Sequence, residues 1–210
     1  MTEVIPGILE QEFPAITTKI SLVEPFVKWV QIDLLDGSLF NQTNFNDPTQ
    51  FLNLKTKVGL ELHMMVENPL RMVSSWAEAG FKRFIAHTEG LLNIDEFVST
   101  IRNQMGLEVG LAIDLPTPAE KILPYLEKID CLLLMSVPCG KSGQKFNNTV
   151  LEKIKTIRKS YGKIPVEIDG GVNLETGKLC IEAGAVRLVS TSYIFSRNNI
   201  KAAIEQLRKL

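Results

Sequence analysis

Residues 29–37 read WVQIDLLDG, an apolar run that ends on an aspartate and a glycine. Seven other short runs rich in valine, isoleucine and leucine occur at 4–9, 60–66, 83–89, 108–114, 131–137, 165–172 and 187–192. These runs are apolar almost continuously and lack the strict alternation of a half-exposed strand. They are typical of parallel strands that helices cover on both faces.

Helix signals separate the apolar runs. Asp47, Asn68 and Thr117 each precede a proline, a combination typical of a helix N-terminus. Gly80 and Gly184 follow the ends of two helical segments, where the left-handed conformation of glycine is favoured. From these signals and from apolar residues spaced three to four apart, we expect helices over residues 47–54, 68–80, 93–105, 117–129 and 147–161.

The alternation of strands and helices decides the fold class. Eight β-then-α units in 210 residues predict one (β/α)8 TIM barrel that occupies residues 1–210 as a single domain. A doubly wound open sheet is the alternative arrangement of the same units. In a barrel, chemistry is expected at the carboxyl ends of the strands, where the βα loops begin.

The bulk composition excludes several classes of function. The formal net charge is -1, so no basic face for nucleic acid is expected, and the basic stretch at 197–210 is typical of the solvated side of a closing helix. No run approaches the ~18 apolar residues that span a bilayer. The start MTEVIPG lacks the pattern of a secretory signal, and the three cysteines form no CxxC pair. We therefore expect a cytoplasmic protein with neither nucleic acid nor membrane as a partner.

Polar side chains fall where the apolar runs end. Asp33 ends the second run, His63 lies in the third and Asp169 ends the seventh. Side chains two residues apart share a face of a strand, so Gln31 lies beside Asp33 on the face that looks into the barrel. Buried carboxylates are costly unless a cation or hydrogen bonds compensate them. We therefore assign Asp33 and Asp169 to catalysis or to a metal site rather than to structural capping.

The two histidines have less specific surroundings. His63 is a ligand or substrate contact in one interpretation and a hydrogen-bonded core histidine in the other. His87 and Glu89, at the end of the fourth run, form either a structural pair at the rim of the barrel or a substrate contact. For both histidines the two alternatives remain open.

Loops of small residues follow the last three strands. They read PCGKSGQ at 138–144, DGGVN at 169–173 and STS at 190–192. Backbone N–H groups freed by glycine make an anion cradle, and loops after the last strands are a recurrent phosphate site in such barrels. We therefore predict a phosphorylated substrate, with turn formation alone as the alternative. Lys141 either pairs with the phosphate as a positive charge or is a solvated lysine. The predicted binding residues are Gly140, Gly143, Gln144, Gly170, Gly171 and Ser192.

Taken together, in their order and spacing, these motifs resemble those of the ribulose-phosphate 3-epimerase family. QIDLLDG at 31–37 resembles the family pattern H-x-D-x-M-D-G, and HMMV at 63–66 resembles H-L-M-V. HTEG at 87–90 resembles H-x-E, and LMSVPCGKSGQKF at 134–146 resembles M-S-V-N-P-G-F-G-G-Q-x-F. VEIDGGVN at 166–173 resembles E-x-D-G-G-V-N. The resemblance covers nearly the whole chain.

The resemblance implies an isomerase of the pentose phosphate pathway. Such a barrel inverts C3 of a pentulose 5-phosphate and converts D-ribulose 5-phosphate to D-xylulose 5-phosphate. Asp33 and Asp169 would be the acid/base pair, because one proton leaves C3 on one face and another returns on the opposite face. Met65 and Met135 would form a cap over the substrate. The enediolate between the two steps needs a divalent metal or fixed donors to stabilise its charge.

The resemblance further implies a divalent metal, either zinc, iron or manganese, held by His, Asp, His and Asp. In this sequence those positions are Gln31, Asp33, His63 and Asp169. The carboxamide of Gln31 is a poorer zinc ligand than imidazole, which leaves three of the usual ligands. Either these three still hold a catalytic metal, or no metal binds and the Gln31 amide donates directly to a substrate oxygen.

Two alternatives to this activity remain open. A ketohexose-6-phosphate 3-epimerase would use the same machinery, and a non-catalytic sugar-phosphate-binding barrel with a decayed metal site would keep only the phosphate cradle. A related group of decarboxylases and synthases, marked by D-x-K-x-x-D on strand two, is set aside because Leu35 and Ser38 replace its lysine and second aspartate. Barrels of this kind often associate, so we expect a homo-oligomer, although no stretch identifies its interface.

Overall fold

The computed structural model describes residues 2–140 and 143–210. The contribution expected of Lys141 to phosphate binding therefore lies outside the described residues. Within these two ranges, eight parallel strands close a barrel in sequence order. The predicted TIM barrel is confirmed, and the open sheet is excluded because the last strand pairs with the first.

Each apolar run forms one strand of the barrel. The strands are β1 (Glu3–Ile8), β2 (Trp29–Leu34), β3 (Gly59–Met64), β4 (Arg83–His87), β5 (Glu108–Ile113), β6 (Cys131–Met135), β7 (Val166–Asp169) and β8 (Arg187–Ser190). Nearly all their residues are buried, because helices cover the outer face while side chains fill the interior. This burial on both faces explains why the runs are continuous rather than alternating.

Helices follow most of the strands and cover the outside of the barrel. The α-helices of the described ranges are α1 (Phe13–Val23), α2 (Leu70–Glu78), α3 (Ile94–Ser99), α4 (Thr149–Ser160), α5 (Leu174–Ala183), α6 (Ser192–Phe195) and α7 (Ile200–Arg208). As predicted, Gly184 ends α5 in the left-handed conformation, with φ 115°. No helix in residues 2–140 and 143–210 combines the length and apolar character that crossing a membrane requires.

The prediction of a helix over 117–129 is wrong. Two short 3-10 turns, Ala119–Lys121 and Leu123–Tyr125, stand in its place. Pro124 lies in the middle of the segment, where it has no N–H to donate and its ring clashes with the preceding turn, so a continuous α-helix cannot form. Thr117 does not cap a helix either, since its hydroxyl donates to a glutamate of the neighbouring loop.

Other helix predictions are correct in place but differ in detail. Segment 47–54 contains only a 3-10 turn, Pro48–Phe51, which Asp47 caps as expected. Helix α2 has Pro69 rather than Asn68 at its cap position, because Asn68 adopts a left-handed φ of 47°. Helix α3 ends early and continues into a π-helical turn.

The barrel interior has an apolar side and a polar side. Buried apolar residues of β4 to β6 and the loop that follows fill one side: Ile85, Ala112, Cys131, Leu133, Met135 and Val137. Buried polar residues of β2, β3 and β7 fill the other: Gln31, Asp33, Glu61, His63 and Glu167. The register pairs Asp33 with His63 on adjacent strands. The polar residues of the adjacent strands β2 and β3 lie across β8 and β1 from those of β7, and both groups lead up to the strand ends.

Candidate active site

Three side chains converge at the carboxyl ends of the strands. Asp33 lies near the end of β2, His63 lies in β3 and Asp169 ends β7. His63 Nδ1 is 3.0 Å from Asp33 Oδ1 and 3.6 Å from Asp169 Oδ2. The Asp33 and Asp169 side chains are 10% and 14% exposed, so both carboxylates are largely withdrawn from water yet still reachable. The two acidic groups thus face one shared space.

Gln31 lies between the two carboxylates. It is fully buried on β2, and its Nε2 is 2.7 Å from Asp33 Oδ1 and 2.7 Å from Asp169 Oδ2. The amide therefore donates one N–H to each carboxylate, and both bonds are charge-assisted. Gln31 Oε1 is buried and has no hydrogen-bond partner among the described residues. An unpaired buried carbonyl costs about 1–3 kcal/mol, which the two bonds to the carboxylates offset.

A chain of two histidines runs from Asp33 towards the rim. His63 Nε2 is 2.9 Å from His87 Nε2, and His87 Nδ1 is 3.3 Å from Glu89 Oε2. Because a carboxylate only accepts, His87 carries its proton on Nδ1 and offers Nε2 as an acceptor. His63 then donates from Nε2 to His87 and from Nδ1 to Asp33. This arrangement favours the structural interpretation of His87, which holds His63 in place.

Burial and neighbouring charges shift the pKa values of these groups. Burial, together with the adjacent Asp33 carboxylate, raises the pKa of Asp169 to about 7. Burial opposes the charge on His63, but the hydrogen bond and charge of Asp33 outweigh it and raise the His63 pKa. Burial lowers the pKa of His87, in agreement with its role as a neutral acceptor. Asp169 is therefore a carboxyl group that exchanges its proton near neutral pH.

Glu89 anchors the rim beside the histidines. Its Oε1 accepts from Asp114 N at 2.9 Å and from the Thr117 hydroxyl. Burial would raise the pKa of Glu89, but the hydrogen bonds from His87 and Thr117 lower it to about 2, so the carboxylate is ionised at neutral pH. Cys139 Sγ is 3.5 Å from Asp114 Oδ1 and 3.7 Å from His87 Nε2. Burial raises the pKa of Cys139, so its thiol stays protonated and unreactive.

One cavity opens above the convergent side chains. Asp33, His63 and Asp169 line it. The predicted substrate-binding residues that line the same cavity are Met65, Met135, Gly140, Gly143, Gly170, Gly171 and Ser192. Gln144 lines an adjoining depression with Gly143, Gly171 and Ser192, and its Nε2 is 2.6 Å from Pro138 O. The structure therefore groups all the predicted site residues at one end of the barrel.

Sequence reasoning missed several residues of this region. Leu9 also lines the cavity, as does Thr191, which the sequence placed in the predicted phosphate loop 190–192 without counting it among the binding residues. Leu9 follows the first strand, so the rule that chemistry lies at strand ends could have found it. Asn44 supports the site from behind, because its Nδ2 donates to Asp33 O at 2.6 Å and its Oδ1 accepts from Leu35 N at 2.8 Å. A lone asparagine in a polar loop carries no signal of such a role.

Whether the divalent metal implied by the resemblance fits this site depends on the side chains at the four ligand positions. Asp33, His63 and Asp169 are suitable ligands, and their ligand atoms form a group, found within the described residues, in which all lie within 4.8 Å of one another. The metal that the resemblance implies has its fourth ligand at Gln31. An amide nitrogen offers no lone pair to a cation, and Gln31 Nε2 is 2.7 Å from both carboxylates and 3.4 Å from His63 Nδ1. As oriented, the residues present do not fit the implied metal.

Comparison with known proteins decides the family. The family model described as "Ribulose-phosphate 3 epimerase family" matches residues 3–195. The chain belongs to the ribulose-phosphate 3-epimerase family. This membership confirms the resemblance drawn from the sequence and identifies the protein as an isomerase, namely an epimerase.

Curated relatives of this epimerase extend over most or all of the chain. Ribulose-phosphate 3-epimerase of Bacillus subtilis (strain 168) is 33% identical over 215 residues, covering 99% of this chain and 99% of the relative. The protein of the same name from Chlamydia muridarum is 34% identical over 178 residues, covering 81% of this chain and 78% of the relative. The 3-hexulose-6-phosphate synthase of Salmonella typhimurium has a TM-score of 0.73, covers 100% of this chain and 97% of its own, and is 15% identical. That likeness concerns the fold alone.

Proposed function

We propose that this epimerase inverts C3 of a phosphorylated ketose and converts D-ribulose 5-phosphate to D-xylulose 5-phosphate. The observation that carries the proposal is the convergence of Asp33 and Asp169 on one cavity, with strands β8 and β1 between their own strands in the ring. The names of the curated relatives support the choice of substrate.

Two carboxyl groups are what an inversion at carbon requires. C3 lies next to the C2 carbonyl of the ketose, so its proton is acidic enough for a positioned carboxylate to remove. One aspartate takes this proton from one face of C3, and the protonated carboxyl of the other returns a proton to the opposite face. Gln31 Nε2 contacts both Asp33 and Asp169 and keeps their spacing fixed. The exchange of roles between the two carboxyl groups makes the reaction reversible.

His63 is placed to stabilise the charge that develops between the two proton transfers. Its ring lines the cavity beside both carboxylates, and His87 holds it from behind at 2.9 Å. The enediolate places negative charge on oxygen, and the positive charge of His63, whose ring donates to both Asp33 and His87, lowers the energy of such an intermediate in a site withdrawn from water. Met65 and Met135 supply an apolar wall for the carbon chain.

The phosphate of the substrate is assigned to the loops after β6, β7 and β8. Gly143, Gly170 and Gly171 have φ values of 75°, 111° and 60°, conformations that turn backbone N–H groups into a concave surface. Ser192 lines the same cavity from the β8 side. With phosphate anchored there, C3 of a pentulose lies towards the two aspartates at the other end of the cavity.

The organisation of the protein is also a proposal. The strands of one closed barrel run from β1 to β8, which supports a single domain over residues 1–210. The three cysteines are free, which supports a reducing compartment such as the cytoplasm. Assembly into a homo-oligomer stays a prediction.

Proton NMR in deuterium oxide tests the proposed reaction. We expect solvent deuterium to enter C3 of ribulose 5-phosphate and xylulose 5-phosphate as the two interconvert, with slower exchange in fructose 6-phosphate and none in unphosphorylated ribulose. Faster exchange in the hexulose phosphate would assign the enzyme to ketohexose phosphates instead. Absence of C3 exchange in every ketose phosphate would overturn the proposal.

Gly171 offers a first test of the phosphate assignment. A Cβ at this position would lie 2.8 Å from both Gln144 O and Phe146 N, at a φ of 60°. We expect Gly171→Ala to push the loop after β6 away from the cavity and to lower kcat/KM about 10–100-fold, since small misplacements of binding groups have effects of this size. Steady-state kinetics with ribulose 5-phosphate measure the change.

Gly80→Ala is the matched control for this substitution. Gly80 also has a positive φ, 99°, but a Cβ there meets none of the described residues within 4 Å. Both variants carry the backbone strain of about 1–2 kcal/mol, while only Gly171→Ala disturbs the cavity. Equal kcat/KM values for the two variants would contradict the placement of the phosphate.

A further inference from the structure

The position of Gln31 resembles that of a bound cation more than that of a ligand. Two carboxylate oxygens and one imidazole nitrogen, all atoms that bind divalent metals, converge on a single point of the barrel. That point is held by Gln31 Nε2, which lies 2.7 Å from Asp33 Oδ1, 2.7 Å from Asp169 Oδ2 and 3.4 Å from His63 Nδ1. The amide group is fully buried and comes from β2, inside the barrel wall.

The orientation of the amide follows from electrostatics. With the nitrogen facing the carboxylates, each N–H meets one negative oxygen. With the amide turned over, an oxygen would lie 2.7 Å from two carboxylate oxygens, a repulsive arrangement unless a cation or a proton lies between them. Gln31 Oε1 has no hydrogen-bond partner in the described parts of the chain, so the orientation depends on the contacts of Nε2 with the two carboxylates at 2.7 Å and with His63 Nδ1 at 3.4 Å. The two carboxylates themselves turn the N–H side towards them.

We infer that the Gln31 carboxamide takes the place of the divalent metal of this family, and that the epimerase works without one. The neutral amide donates one N–H to each carboxylate and so links the two as a cation would. Unlike a metal ion, it brings no positive charge to the site and has no ligands that exchange with solvent. That Gln31 takes the metal position, the first half, concerns binding alone. That the epimerase turns over substrate without a metal, the second half, rests on the proposed function.

Metal binding tests the first half without any need for activity. Isothermal titration of zinc into chelator-treated protein should reveal no stoichiometric site in the parent. Gln31→His replaces the donating amide with an imidazole that completes the ligand set of the family. We expect zinc to bind this variant with one equivalent per chain and at least about 100-fold more tightly than it binds the parent, since even indirect supports of a metal ligand change affinity 10–100-fold.

A matched control separates the site from the mere addition of an imidazole. Gln104→His makes the same substitution at an exposed position of the π-helical turn after α3, and zinc should bind it no better than the parent. Gln31→Glu is a second variant of nearly unchanged volume, in which three carboxylates repel one another until a cation binds. Zinc should therefore raise the melting temperature of Gln31→Glu and leave that of the parent unchanged, which keeps the test decisive if Gln31→His does not fold.

Turnover tests the second half. C3 proton exchange in ribulose 5-phosphate should proceed at the same rate in the parent before and after dialysis against a chelator. One tight zinc per chain in the parent, matching Gln31→His, would overturn the inference, and so would loss of exchange on chelation with recovery on adding zinc. If no ketose phosphate is turned over under any condition, the proposed function fails, while the zinc titrations still decide what Gln31 does.

Discussion

Asp169→Asn is expected to slow epimerisation about 10²–10⁴-fold, the range that a positioned acid or base contributes. The amide can neither take a proton from C3 nor return one. Its oxygen can still accept the N–H of Gln31 Nε2, which lies 2.7 Å from Asp169 Oδ2 in the parent. The variant therefore keeps the volume and the hydrogen bond of the site and loses the proton transfer.

The two epimers of the substrate should respond differently to this substitution. In a mechanism with two carboxyl groups, each group serves one face of C3. In the Asp169→Asn variant, Asp33 still exchanges the proton of the epimer whose C3–H faces it, although no group on the other side completes the inversion. Asp33→Asn should show the mirror pattern, with exchange in the other epimer. NMR in deuterium oxide, run separately on ribulose 5-phosphate and xylulose 5-phosphate, measures exchange and inversion in each variant.

Asp95→Asn is the control for the change from carboxylate to amide. Asp95 lies on the surface of α3, where it pairs with Lys128 at 2.6 Å, and its substitution should leave both rates unchanged. Parental epimerisation in Asp169→Asn would contradict the assignment of roles. Deuterium exchange of both epimers at the parental rate in that variant would contradict it as well.

Strand periodicity made the aspartates recognisable in the sequence. Asp33 lies near the end of β2 and Asp169 ends β7, and strand ends meet at one rim of a parallel barrel. A two-residue period also placed Gln31 on the face of Asp33. The orientation of the Gln31 amide could not be predicted from the sequence, because it depends on Asp169, which lies 138 residues away along the chain. A contact of this kind is contained in no local pattern.

The contact between the two histidines shows the same limit. His63 pairs in register with Ile85, so His87 stands two residues further along β4 on the same interior face. That register is a property of the closed barrel and cannot be read from either strand alone. The sequence patterns did not predict helix α1, and the reason is local. Glu12, at the N-cap position of this helix, makes no side-chain capping bond in the described structure.

A second buried polar layer lies beneath Asp33, His63 and Asp169. Glu61 and Glu167 stand two residues before the polar positions of β3 and β7, and both are fully buried. Burial, together with the neighbouring Glu61, raises the pKa of Glu167 well above its usual range, which favours its neutral form. Arg83 on β4 donates from Nη1 to Glu61 and, at 2.7 Å, from Nε to Glu108. Arg83 is therefore the cation that balances Glu61 inside the barrel.

Arg83→Met is expected to destabilise the fold by about 3–5 kcal/mol, because removing one partner of a buried ion pair leaves the other charge uncompensated. Arg83 is 1% exposed, and its guanidinium lies 3.8 Å from the centroid of the Trp29 ring. Methionine is unbranched and nearly as long, so it keeps much of the packing against Trp29 and removes the charge and its donors. Urea unfolding followed by circular dichroism measures the loss.

A substitution at Glu61 tests whether the uncompensated carboxylate causes the loss of stability in Arg83→Met. If it does, the double variant Arg83→Met with Glu61→Gln should be about 1–3 kcal/mol more stable than Arg83→Met alone, since contacting residues couple by that amount. Arg102→Met removes an arginine whose pair with Asp130, at 3.4 Å, is half exposed, and it should cost less than about 1 kcal/mol. A double variant no more stable than Arg83→Met would show that packing against Trp29, and not an uncompensated carboxylate, accounts for the loss. Equal losses in Arg83→Met and Arg102→Met would show that the buried pair adds no more to stability than a surface pair.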